Sequence, residues 1–242
     1  MFFKKKPPPE KKQQTRNTWV HPSTKIEDSG WRRDKSNPKV YIVHQKYSRP
    51  NWHPTNQDAE YEALDIKDRV AHGRIWSYGL RLLKAGETPK SLTIEKKNTP
   101  NQIADIFASS NHLTLVSSRM RDLMTKFDPD LHQYVPVELF YKDGNPVEKD
   151  WYILNITARK QSIILPLSDV RVTSHASVSF RQTQNIALFS PKAIDGVHVW
   201  RENSMTNDLF ISEDFYKAVK DAGMKFLPTW VGEVVSGSKG QD

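Results

Sequence analysis

Cysteine is absent from this chain, which rules out disulfides and thiolate metal sites and permits a reducing compartment. Glycine is scarce, 10 in 242 residues, and scattered, so no Gly-rich loop can cradle a phosphate. No apolar run reaches the roughly eighteen residues needed to cross a bilayer. Met1-Phe2-Phe3 is too short for the apolar core of a signal peptide, and its lysines follow rather than precede it. A soluble protein that stays in the cytoplasm is the expectation. Paired-histidine zinc helices, calcium loops and nucleophile-elbow patterns are missing as well. His44 and His53 lie nine apart without a matching carboxylate pattern. Ser174 and His175 are adjacent, but neighbours on an extended chain point to opposite faces. Asp143, Asp150, Asp169 and Asp195 each sit by a turn or strand end, where aspartate serves local hydrogen bonding. The sequence therefore nominates no catalytic residue, no cofactor site, no metal ligand and no small-molecule substrate.

What is present is positive charge, unevenly placed. The formal net charge is +8. Residues 1–49 hold 13 Lys and Arg against 4 Asp and Glu, while residues 50–242 hold 23 against 24. The basicity belongs to the leading fifth, and the remainder is balanced. A whole-fold nucleic-acid binder is thereby disfavoured. An adaptor for nucleic acid or a membrane surface, working through residues 1–49, is the alternative reading. Residues 1–16 are Lys, Pro and Gln with little to bury, so a disordered basic tail is expected there.

The best-organised stretch is Leu113 to Ile156. Leu113 to Val116 reads as a short strand, and Ser117 and Ser118 offer oxygens to the free N–H groups of a helix start. Met120, Leu123, Met124 and Phe127 share a helical face, which Asp128-Pro129 ends. Val135, Val137, Leu139 and Tyr141 then alternate with Tyr134, Pro136, Glu138 and Phe140, and turn residues 142–146 lead to a strand from Trp151. Further strands are expected at Val40–Val43, 75–83, 92–94, 184–189, 194–200 and 209–211, with a bent or edge strand in 162–172. Ile103, Ile106 and Phe107 have helical spacing. A second serine-capped helix follows Ser212, with Phe215, Ala218, Val219 and Ala222 on one face and Gly223 past its end. It repeats the local physics of the first.

The fold class is therefore α+β, with a mixed, mainly antiparallel sheet and a few packed amphipathic helices. An irregular Trp-rich lead-in is expected at 17–39, the folded domain at 40–235, and a frayed end at 236–242. Surface contacts are expected from aromatics and arginine near the basic front and the strand ends: Trp31, Trp52, Trp76, Tyr78, Trp200 and Arg201. The same residue types serve equally as core or edge packing.

Val40-Tyr41-Ile42-Val43, Asp105-Ile106-Phe107, Tyr134-Val135-Pro136-Val137, Trp151 to Ile156, and Leu209 to Phe215 with Gly223 and Phe226 occur in an order and spacing that resembles a known family. That family is immunity family eleven of bacterial polymorphic-toxin systems, and the resemblance spans about Val40 to Trp230. It implies a non-catalytic protein that binds a cognate toxin and covers its active site. The family has no catalytic motif, so no functional residue is carried over.

Overall fold

A computed structural model describes residues 18–20, 36–43, 79, 82–84, 86–94, 103–108, 113–141, 143–168, 170–172, 178–179, 187–226 and 228–235. The α+β class expected from the sequence is the one found. A five-stranded sheet has the order β3-β6-β7-β5-β4. Its strands are β3 (Ser91–Ile94), β4 (Ile106–Ala108), β5 (Thr114–Ser117), β6 (Gln133–Tyr141) and β7 (Trp151–Asn155). A six-stranded sheet has the order β11-β14-β2-β13-β12-β8. It comprises β2 (Lys39–Val43), β8 (Arg159–Lys160), β11 (Ala187–Phe189), β12 (Val199–Glu202), β13 (Met205–Ser212) and β14 (Pro228–Val234). A small third sheet joins β1 (Thr18–Val20), β9 (Val170–Val172) and β10 (Val178–Ser179). Among the described pairings only β3 with β6, β11 with β14 and β12 with β8 are parallel.

Among the described residues three helices accompany the sheets: α1 (Ser118–Phe127), the short α2 (Pro191–Ile194) and α3 (Glu213–Asp221). None among the described residues is long and apolar enough to cross a membrane. Side chains on alternate positions of each sheet enter different clusters. In β5 and β7, Leu115 and Ile153 face one core with Val137, Leu139 and Trp151, while Val116 and Leu154 face a second. In the six-stranded sheet, Ile42, Trp200 and Phe210 face a third core, whereas Val43, Val199 and Ile211 face the second. Both sheets therefore contribute a face to that second core, together with α1 and α3. Phe127 meets Phe215 there edge to face, centroids 5.4 Å apart.

Local chemistry built both helices as their sequences indicate. The Ser117 hydroxyl accepts the Met120 N–H at 3.3 Å, and the Ser212 hydroxyl accepts the Phe215 N–H at 3.2 Å. Met120 and Met124 of α1, and Phe215 and Val219 of α3, are buried. Gly223 ends α3 with a φ of 61°, and Gly144 turns the β6–β7 hairpin at 83°, both left-handed.

Several local expectations need correction. Ile106 and Phe107 belong to strand β4, not a helix: they face opposite cores of a sheet covered on both sides, so two adjacent positions are apolar. Pro191 to Ile194 is a helical turn, and the strand expected over 194–200 begins only at Val199. Leu165–Leu167 is a 3-10 turn, with Pro166 inside it, and only Val170–Val172 of that stretch is a strand. At the described end of 75–83, Leu82 is 63% exposed and Leu83 is buried. Strand β1 lies within the lead-in expected to be irregular and pairs with β9.

Candidate functional site

The chemistry-bearing side chains gather around the two capping serines. Asp105 precedes β4, and its Oδ1 accepts the Ser117 hydroxyl at 2.7 Å. His198 precedes β12, and its Nδ1 lies 2.9 Å from the Ser212 hydroxyl. A serine beside an imidazole at a helix start invites comparison with a nucleophile and its base. The rest of the arrangement does not support that use. Ser212 Oγ already caps α3, and the imidazole packs edge-on against Phe127 at 5.0 Å. The nearby Asp128 carboxylate accepts the backbone N–H groups of His198 and Val199 at 2.9 and 2.8 Å, so toward His198 it orients backbone rather than the ring; the imidazole it does approach is that of buried His132, whose Nε2 lies 3.5 Å from Asp128 Oδ2. The equivalent place beside Ser117 is filled by a carboxylate. At both sites the side chain beside the serine is its hydrogen-bond partner while the hydroxyl caps the helix.

Asp105 shows how fully these groups serve structure. Burial disfavours its charge, but the Lys225 N–H, the Ser117 hydroxyl and Arg119 all donate to it, and together they hold its carboxyl below the ordinary value. Glu213 behaves alike, with burial outweighed by the Lys39 N–H at 2.8 Å and by Lys217. Among the described residues no group of three or more metal-ligating side chains converges.

Trp200 and Arg201, expected on the surface, are both fully buried at 0% exposure. Trp200 stacks on Phe210, with centroids 5.9 Å apart and planes within 24°. Arg201 points the other way and reaches Thr114 Oγ1 of the five-stranded sheet at 3.4 Å. Burial pushes its pKa down to about 10, so it stays cationic at neutral pH. Beside it, Glu202 accepts the Ser162 N–H and hydroxyl, the latter at 2.6 Å, while burial pushes its carboxyl up. These three tie sheets and loops together from within. Trp31, Trp52, Trp76 and Tyr78 lie outside the described residues.

An open feature does occur on the five-stranded sheet. Toward the hairpin end, β6 and β7 floor a groove of about 480 Å³ whose lining includes Lys90, Pro136, Glu138, Phe140, Lys149 and Tyr152. Pro136, Glu138 and Phe140 are the alternates to the buried Val137, Leu139 and Tyr141. They continue the sheet face on which Tyr134 and Leu154 pack with α1. The Arg121 guanidinium lies over the Tyr152 ring, 4.3 Å from its centroid, and also pairs with Asp122 at 2.6 Å. Sequence reasoning did not single this place out, although the alternation in β6 had already separated its residues from the core.

The groove has an apolar floor and charged edges, which suits contact with another macromolecule. Comparison with curated proteins found no match. The model of the Immunity protein family (Imm11) matches residues 8–230, reaching further toward the N-terminus than the Val40 at which the ordered resemblance begins. With almost the whole chain matched, the protein belongs to the Immunity protein family (Imm11).

Proposed function

We propose that this chain neutralises one cognate bacterial toxin by binding it stoichiometrically and covering its active site. The match of an immunity family over residues 8–230 carries this reading. The toxin belongs to a polymorphic system delivered between neighbouring cells, by contact or by type VI secretion, and the chain meets it in the cytoplasm. Nothing in the serine sites argues for turnover, because their hydroxyls and carboxylates are engaged in holding helices and strands. Trp31, Trp52, Trp76 and Tyr78 are contact candidates by composition, since aromatic side chains dominate binding hot spots. Co-expression with the toxin domain encoded beside this chain is the test. Cells should survive with the chain and die without it; equal killing in both would refute the proposal.

A further inference from the structure

The β6–β7 hairpin is locally acidic within a balanced body. Residues 138–150 carry Glu138, Asp143, Glu148 and Asp150 against Lys142 and Lys149, whereas residues 50–242 together hold 23 Lys and Arg against 24 Asp and Glu. All four carboxylate residues are exposed. Their field is felt nearby: burial raises the Tyr141 hydroxyl, and Glu148 and Asp143 raise it further. Within the groove, Pro136, Phe140 and Tyr152 offer an apolar and aromatic floor. Glu138 and Asp150 line the groove beside them.

The Tyr152 ring carries the Arg121 guanidinium of this chain on one face, 4.3 Å from its centroid, a geometry in which an aromatic ring attracts a planar cation. Arg121 reaches the ring from α1, its protonated form favoured chiefly by the hydrogen bond to Asp122 and least by Asp150. Lys90 and Lys149 line the groove with Glu138 and Asp150 and set a limit: a wholly acidic visitor would meet these two carboxylates, and a wholly basic one would meet both lysines.

We propose that this groove is the docking surface for the toxin, and that its occupant is a toxin segment bearing arginine or lysine next to an aromatic or aliphatic side chain. The apolar side chain lies on the Pro136–Phe140–Tyr152 floor, and the cations face Glu138 and Asp150. This rests on the toxin-binding reading above and names its surface. Affinity comes from burying the floor, and the carboxylates steer and orient the approach.

The experiment uses the full chain and, as probe, a catalytically inactive form of the toxin domain encoded beside it, with binding followed by calorimetry. Glu138→Lys combined with Asp150→Lys reverses the rim. Asp195→Lys combined with Asp221→Lys makes the same change in charge at two exposed positions outside the groove. Thermal unfolding of both doubles verifies folding. The groove double should weaken binding by about a hundredfold and remove much of its salt dependence, while the control double changes it less than about threefold. Undiminished binding by the groove double, or equal losses in both, overturns the groove assignment and leaves toxin binding intact. Absence of binding by the unaltered chain overturns both.

Discussion

In each half of the shared core a β-hairpin runs into a serine-capped helix, β4–β5 into α1 and β12–β13 into α3. The correspondence is close. Ile106 pairs with Val116 as Val199 pairs with Ile211, and all four enter the same core. Ser117 N–H donates to the Asp105 carbonyl at 3.0 Å, and Ser212 N–H to the His198 carbonyl at 2.9 Å. The cap residues share nearly one conformation, φ −70° and ψ 161° for Ser117 against −71° and 161° for Ser212. Electrostatics is where they part. α3 carries Glu213 and Asp214 in its own first turn, where the helix dipole favours them, whereas α1 has no acid there and borrows Asp105, which stands just before β4. Geometry set by serine and backbone thus tolerates charge supplied from within or from a distance.

The two units are also locked reciprocally. The Asp105 N–H donates to the Lys225 carbonyl beyond α3, and the Lys225 N–H returns to Asp105 Oδ2, both at 2.8 Å. Asp128, just beyond α1, holds the N–H groups that open β12. Each unit's first strand is therefore pinned by the residue that follows the other's helix, so neither half is expected to fold without its counterpart.

The strongest way to break the parallel is to empty matching positions. Phe215 and Met120 stand three residues past their serines and are 3% and 1% exposed. Phe215→Ala should cost about 3–5 kcal/mol and Met120→Ala about 2–5, read by urea unfolding. A large loss for one with none for the other would mean the core is not shared. Asp128→Ala comes next, leaving two N–H groups without their acceptor, at a cost of roughly 2–4 kcal/mol; Asp128→Asn, which keeps one acceptor oxygen, should cost less. A loss below about 1 kcal/mol would discount the reciprocal lock. Ser117→Ala and Ser212→Ala should each cost about 1 kcal/mol, with Ser117 the larger because the second partner it deprives is the Asp105 carboxylate, whereas at Ser212 it is the His198 ring. The smallest effect is a slope with pH. Because the folded Asp105 carboxyl lies below its ordinary 3.8, its contribution is fully present above that value and is lost as pH falls through the lowered one. Asp105→Asn should flatten stability against pH below about 4, and an unchanged slope would contradict the assignment.

Much of each unit could be read along the chain because its determinants are local. Serine, apolar spacing and a terminating Asp-Pro or Gly all lie within a dozen residues, as do the alternation and turn of the β6–β7 hairpin. What joins the units could not be read. Asp105 meets Lys225 across 120 positions, and Asp128 meets His198 across 70. No spacing rule announces such partners. β4 was hidden because a strand buried on both faces loses the period of two. Trp200 and Arg201 misled because aromatic and arginine side chains that anchor an interface are the same ones that, when buried with partners, knit a core.

Both units place their polar chemistry in the service of holding shape, and the proposed outward groove lies on the sheet beside α1. Titrating the activity of the proposed cognate toxin with this chain tests that division most directly. Stoichiometric binding predicts a linear fall in activity that reaches zero at one equivalent and does not depend on incubation time. Progressive inactivation of excess toxin by a small fraction of an equivalent would contradict it.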